Sequence, residues 1–406
     1  MKILIIIAGI LTICSPGLSQ SLPGMERAVD AALNNNLRIK SARDRADATR
    51  YLQKTSVDLP KTEAMLMYGQ YNSYAREDNN ITITQSIPFS AFGSQASYNR
   101  TATRAGEKET LVTENEISYQ VRDVFMDLVY AMELRKLLQQ QDSLFAGFET
   151  SATRRYETGE STLLEQSTAR SQRNQSVVQL QQNNADIMRL KQRLDYLVNA
   201  DVDVSGEILS PLSLPDLDTA AFRGNPENDF RMEQVTLKIK EQRLEKAKLG
   251  PDLIIGYFNQ SLIGTSLSDA GGVAKSSDRF QGIQVGLAFP LWFTPQSARI
   301  RSAGANLSAA QNDAAYALQF SRNEVLQIIE QLRTHSNNLE YFRTYGLPNA
   351  DLILKQSQIA FREGEISYAE YLLGVRNALQ LKESYLMTIR DFNKSIIYYK
   401  YLTGGK

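Results

Sequence analysis

His335 is the only histidine and Cys14 the only cysteine in 406 residues, so the side chains that most often supply nucleophiles, general bases or soft metal ligands occur one at a time. His335 lies in the helical stretch Glu330-Gln-Leu-Arg-Thr-His-Ser-Asn-Asn-Leu-Glu340. A lone imidazole is too weak a donor set for a transition ion, and His335 reads as a structural or surface residue. No Gly-rich phosphate loop, nucleophile–base pair or Cys/His cluster is present. No enzymatic activity, no cofactor and no metal site are expected. What remains for chemistry is carboxylates at a fixed spacing. Glu160 and Glu165 follow Gly159, and Glu365 and Glu370 follow Gly364 at the same steps.

That echo extends along the chain. Tyr156-Glu-Thr-Gly159-Glu160, then Glu165, then Tyr196-Leu197 return as Phe361-Arg-Glu-Gly364-Glu365, Glu370 and Tyr401-Leu402. Gly364 follows Gly159 by 205 residues and Leu402 follows Leu197 by the same 205. Pro60 is echoed by Pro251, and Ile87-Pro88-Phe89 by Phe289-Pro290-Leu291, at separations of 191 and 202. A long internal period of this kind marks a duplicated structural unit. Function is to be sought in what two such units build together.

Met1-Lys2, the apolar run 3–13 and Ser15-Pro16-Gly17-Leu18-Ser19 have the three parts of a secretory signal, with a cut expected after Ser19. Ile13 before Cys14 is a poor match to a lipoprotein signal, so the mature chain is expected to be free of cysteine and disulfides despite export. Lysine plus arginine equals aspartate plus glutamate at 45 each, which gives no electrostatic footprint for a nucleic-acid partner. Beyond the signal no stretch reaches the roughly 20 apolar residues of a membrane helix. The chain is therefore soluble or enters a membrane as strands.

Each unit reads in the same order. A helix over 25–57 is carried by Ala28, Ala31, Ala32, Leu33, Ile39, Ala42, Ala46 and Leu52 and ends before Pro60. Extended segments follow at 62–74 and 80–87. In the second of these Ile81, Ile83 and Ile87 alternate with Thr82, Thr84 and Ser86, the period of a strand wetted on one face. The matching pair in the second unit spans 252–262 and 280–289, with Ile254, Phe258 and Leu262 on one parity and Ile283, Val285, Leu287 and Phe289 on one parity of the partner. The Gly- and Ser-rich segment 264–279 between them reads as a long surface loop, tolerant of an insertion near Gly271.

After each strand pair comes a long helical pattern. Over 94–156 there is no proline, and Ile117, Val121, Val124, Leu128, Ala131, Leu138, Phe145 and Ala152 form a heptad seam. At about 1.5 Å per residue such a helix runs on the order of 90 Å and must project as a rod. Gly159 and Gly364 mark tight reversals, from which helices return over 162–198 and 368–402. Residues 165–175 carry almost no apolar face and are either a solvated surface or the wall of an aqueous channel. The organisation expected is thus a signal peptide at 1–19, a first repeat at 20–200 (β-hairpin 62–88, helical hairpin 94–198), a crossing linker at 201–225, and a second repeat at 226–406 (β-hairpin 252–289, helical hairpin 296–402).

Four strands per chain are the decisive constraint. A sheet in a bilayer must close, and the smallest barrels have about eight strands. Three chains would supply twelve, over a tunnel of long helices. Phe89, Phe92, Phe289, Trp292 and Phe293 cluster where strands become helices, as an interfacial aromatic belt would. The fold class expected is an α+β membrane protein, a trimer with a 12-stranded β-barrel on long helical rods.

The order helix, Pro60, strand pair, Ile87-Pro88-Phe89, long helix, Tyr156-x-x-Gly159-Glu160, helix, repeated to Tyr401-Leu402-Thr403-Gly404-Gly405, resembles the TolC family of outer-membrane efflux proteins over essentially the whole mature chain. Ala32-Leu33-Asn34-Asn35-Asn36-Leu37 is similar to the family's opening motif, with Leu37 in place of its proline, which Asn225-Pro226 keeps. The resemblance implies a homotrimeric exit duct in the Gram-negative outer membrane, its rods forming an α-helical periplasmic tunnel, docked on a periplasmic adaptor and an inner-membrane pump of the RND type. Compact length leans toward the heavy-metal branch. It also implies that Tyr156, Gly159, Glu160, Glu165, Phe361, Gly364 and Glu365 lie at periplasmic tips where the adaptor engages. Glu370 then falls at the entrance constriction, where three copies would repel and raise their mean pKa; the alternative is a solvated helix glutamate. Phe361 and Ile366 occupy places where well-known members carry polar or basic latch residues. Two other readings stay open: a secreted coiled-coil scaffold or adhesin, and a metal-binding periplasmic carrier.

Overall fold

The computed structural model describes residues 23–71, 73–266 and 272–405. The expected signal segment 1–19, Cys14 and Gly271 lie outside the described residues. Helix α1 spans Pro23–Asn35 and α2 spans Leu37–Leu52, followed by a 3-10 turn, Gln53–Val57. The single helix expected over 25–57 is therefore broken at Asn36. There the backbone is extended (φ −62°, ψ 127°), and Asn36 Oδ1 accepts from the Arg38 and Ile39 amides as an N-cap. Its amide group also donates to the Leu197 carbonyl at 2.6 Å. No proline is needed for the break, which is why the sequence concealed it.

Strands β1 (Glu63–Tyr68) and β2 (Asn79–Ile87) form the first hairpin, and β3 (Asp252–Ser261) and β4 (Arg279–Ala288) the second. The first strand stops short of the expected 74, because Gly69 at φ 120° turns the chain and donates to the Asp78 carbonyl. Tyr71 and Tyr74 consequently sit in the turn. The four strands make one antiparallel sheet of order β1-β2-β3-β4, so both edges belong to single hairpins.

Register sorts the side chains. Ile83 stands opposite Ala64 and Tyr257, and Tyr257 opposite Ile283. On this face Leu66, Ile81, Ile83, Ile255, Tyr257, Ile283, Val285 and Leu287 are all exposed. Thr82, Thr84, Gly256, Gly282 and Gly286 occupy the other face. Ile254 and Phe258 fall on this second face, opposite Gly286 and Gly282. The Phe258 ring fills the space that a Cβ at position 282 would take. The apolar stripe of β3 is thus Leu253, Ile255 and Tyr257.

Helix α3 (Phe89–Glu157) is an unbroken 69-residue rod, and α4 (Leu163–Val198) returns along it. Every residue of the expected heptad seam, from Ile117 to Ala152, is buried. Near the sheet α2 lies close against α3: a Cβ at position 106 would come within 3.3 Å of the Ala46 Cα, and Asn99, Thr103 and Thr110 donate to the carbonyls of Leu52, Thr49 and Ala42. After a 3-10 turn at Ala221–Gly224 come α5 (Pro226–Ala247), the second hairpin and α6 (Phe293–Tyr341). A π-helical segment, Phe342–Gly346, separates α6 from α7 (Leu347–Arg362), and α8 (Tyr368–Thr403) completes the chain. The outgoing helix of the second hairpin is accordingly interrupted, with Pro348 in the first turn after the interruption.

The main core lies where these rods cross, around Phe125, Leu128, Leu194, Leu332, Ile389 and Ile396. Residues 201–225 are no loose crossing. Val202, Val204 and Leu209 are buried in this core. Fully buried Asn393 donates to the Ser210 carbonyl and accepts from the Leu212 amide, each at 2.8 Å, pinning the segment to α8.

Candidate functional site

Two ends of the molecule carry the residues singled out by sequence. At the far end of the rods the chain reverses at Gly159 (φ 80°) and Gly364 (φ 79°). In both reversals the residue after the glycine donates back five positions, Glu160 to the Arg155 carbonyl and Glu365 to the Ala360 carbonyl, each at 2.8 Å. This is a Schellman-type helix end, for which positive φ is the requirement. Nothing lies within 4 Å of a Cβ at either glycine, so conformation alone demands them.

The side chains differ. At the first reversal Tyr156 and Glu160 are exposed, and Glu165 accepts from Arg155 at 3.2 Å. Further up, Arg170 pairs with Glu149, and Arg173 with Asp142 and Glu149. The polar stretch 165–175 is therefore tied by ion pairs to α3, with Ala169 as its buried contact. At the second reversal Phe361 stacks on Tyr371 at 4.6 Å, and Tyr371 meets Phe148 of α3 edge-on at 4.7 Å. Phe145, Leu372, Val375 and Leu379 complete a small core that joins the two hairpins. Burial pushes the buried Tyr371 hydroxyl above its ordinary pKa. Gly364 and Glu365 remain exposed.

Glu370 is exposed, yet its carboxylate is occupied. Its Oε2 accepts from the Ser367 amide at 2.8 Å while the Ser367 hydroxyl accepts from the Glu370 amide at 3.3 Å, a complete capping box for α8. The hydrogen bond from the Ser367 amide holds the carboxyl below its usual range. The raised pKa that the resemblance implies belongs to three clustered copies; within one chain Glu370 is an exposed carboxylate that caps α8. A cleft of 550 Å³ between the starts of α4 and α8 is lined by Glu165, Thr168, Tyr368, Leu372, Leu373 and Arg376. Burial, and then the nearby Glu165 charge, push the Tyr368 hydroxyl up to about 12.

At the opposite end Phe89 opens α3, Trp292 precedes α6 and Phe293 opens it. Phe89, Phe289, Trp292 and Phe293 are exposed and Phe92 half-buried, all at the junction of sheet and rods.

Sequence reasoning passed over the joints between rods. Asn36 bridges the end of α4 to the start of α2, and Asn225 caps α5 by accepting from the Glu227 amide at 2.9 Å, beside the end of α8. Both asparagines are buried. Their shared place before Leu37 and Pro226 was the available signal. The triad in which Lys394 meets Asp123 at 3.0 Å and Asp127 at 2.9 Å was likewise invisible, since α8 and α3 are far apart in sequence.

No protein-family model and no curated protein matches this sequence. Solved structures do. The outer-membrane channel OprN is 16% identical with a TM-score of 0.80, over 95% of this chain and 90% of that one. The Campylobacter jejuni CmeC outer membrane channel is 14% identical, TM-score 0.79, over 94% and 86%. The open state of the Neisseria gonorrhoeae MtrE outer membrane channel is 12% identical, TM-score 0.74, over 94% and 89%. The chain therefore has the fold of these outer-membrane channels, as expected from its TolC-like order of elements.

Proposed function

We propose that this protein is the outer-membrane exit duct of a tripartite efflux system. The observation that carries the reading is the sheet. Four strands present an exposed apolar face, a second face on which Thr82, Thr84, Gly256, Gly282 and Gly286 stand beside Ile254 and Phe258, and two unpaired edges. In water such a face and such edges invite aggregation. In a bilayer the same surface is satisfied by lipid once the edges meet those of other copies. Three copies give a 12-stranded barrel with its apolar face outward, and the rods continue it as a helical tunnel through the periplasm. Phe89, Phe92, Phe289, Trp292 and Phe293 would then sit at the inner membrane–water boundary of the barrel.

In this reading the channel conducts passively, and cargo is chosen by an RND-type inner-membrane pump. A periplasmic adaptor engages the reversals around Tyr156, Gly159, Glu160 and Glu165, and around Phe361, Gly364 and Glu365. Glu370 from three chains lines the entrance. The likeness in fold to outer-membrane channels over nearly the full length supports this assignment.

The test is the purified protein itself. Mass measurement in detergent is expected to give a trimer, and the same material should conduct in a planar bilayer. A stable monomer free of detergent would return the secreted scaffold as the better reading. Glu370→Gln is expected to lower the cation preference of the open channel; unchanged selectivity leaves Glu370 with its capping role only.

A further inference from the structure

The exposed apolar face of the sheet ends in a cation. Arg279, the first residue of β4, shares a face with Ile283, Val285 and Leu287 and is itself exposed. Its guanidinium is fixed by three hydrogen bonds, from Nε to Asn259 Oδ1 at 2.6 Å, and from the two terminal nitrogens to Asn79 Oδ1 at 2.7 Å and the Asn259 carbonyl at 3.1 Å. All three acceptors are neutral. Most other arginines with a polar contact in this chain, such as Arg43, Arg122 and Arg155, meet a carboxylate. Among the described residues none pairs with Arg279. A guanidinium has five N–H groups, so two remain for a ligand. Tyr68, 71% exposed, stands opposite Asn79 in the same row, and one row inward the Tyr257 hydroxyl donates to Gln281 at 2.6 Å.

A rigid, unneutralised fork at the rim of an apolar surface matches one kind of ligand. The ligand must carry an anion that accepts two parallel N–H groups and an apolar tail that runs down the face beneath. We propose that this rim binds the phosphate of an anionic membrane lipid, with Arg279 contacting the phosphate oxygens, Asn79 and Asn259 holding its plane, and acyl chains lying over Ile283 and Val285. The proposal rests on the outer-membrane reading above and adds a lipid class to it. Arginine suits the site better than lysine because its fork is planar and meets phosphate bidentately. The two asparagines fix that plane without cancelling the charge.

The experiment uses the intact protein reconstituted in phosphatidylcholine with spin-labelled phosphatidic acid or spin-labelled phosphatidylcholine as probe. Motionally restricted lipid is read by electron spin resonance. The native protein is expected to favour phosphatidic acid about fivefold, the scale of one basic residue at a membrane surface, and Arg279→Gln to remove the preference. Arg279→Lys, which keeps the charge and drops the fork, is expected to retain less than half of it. Equal restriction of both probes by the native protein overturns the proposal, as does full preference in Arg279→Lys, which would reduce the effect to general surface charge. Loss of the preference to millimolar inorganic phosphate alone would assign the site to a free anion and also sink it. A protein that restricts neither probe has failed to enter the bilayer, and that outcome strikes the outer-membrane reading instead.

Discussion

From Tyr156 to Glu165 and from Phe361 to Glu370 the backbone makes the same turn, but the first is held by ions and the second by rings. Position 155 is arginine in one hairpin, and its counterpart 205 residues on is Ala360, so Glu165 has a cation to meet and Glu370 turns back onto Ser367. The partner of Tyr156 is Phe361, which stacks, and that of Gln166 is Tyr371, which is buried against Phe148. Equal geometry thus supports unequal attachments. The first tip hangs on solvent-screened pairs, while the second is welded to the neighbouring hairpin by a dry cluster.

The contrast can be broken most forcefully at Tyr371. Its replacement by alanine should cost about 3–5 kcal/mol of local stability, the range for deleting a buried aromatic. Hydrogen exchange should accelerate over 361–379 and stay unchanged over 156–165. Equal acceleration in both hairpins would show that they open as one unit. The glycines provide a shared baseline. Gly159→Ala and Gly364→Ala should each cost about 1–2 kcal/mol, the penalty for a Cβ in the left-handed region, and should do so equally, as read by denaturant midpoints. An Arg155→Ala variant should lose no more than about 1 kcal/mol, as exposed ion pairs do. Raising salt to about 1 M, where screening acts within about 3 Å, should mimic it at the first tip and leave the second unmoved.

The smallest effects are in pH. The Tyr368 hydroxyl titrates higher in the fold than its ordinary 10.0, near 12, so its stabilising share is complete below pH 10 and declines as pH rises toward 12. Glu370 has the opposite sign. Its carboxyl is lowered from 4.5, and its contribution is full above that value and fades as acid protonates it. The protection of the Ser367 amide, the factor by which its exchange is slowed relative to the intrinsic rate of an unprotected amide at the same pH, should fall on acidification, and Glu370→Gln should flatten that response. Protection that does not change with pH there would mean the capping box is not formed in solution.

How much of this was legible depended on whether one residue type could do the job. Gly159 and Gly364 were readable because only glycine takes φ near 80° cheaply, and the heptad seam from Ile117 to Ala152 because its spacing repeats locally. The aromatic weld was not, since Phe148 and Tyr371 lie more than 200 positions apart and each reads as ordinary coil core. At β3 the run Leu253-Ile254-Ile255 is apolar on both parities, so only the partner strand's glycines reveal which side is which. The helix break at 36 hid behind Leu37, because an asparagine cap leaves no mark as plain as proline.

The sheet's order has a kinetic consequence. Strands β1 and β2, and β3 and β4, are neighbours in sequence, but Ile87 pairs with Leu253 across 165 intervening residues. Closing so long a segment is entropically costly until something else brings its ends together. The rods α3, α4 and α5 and the pinned 201–225 segment fill that interval. The central seam of the sheet should therefore zip late, after the helical body has formed. Until then the chain exposes two short hairpins in place of one broad apolar surface, and this ordering limits sticking between copies while the chain folds.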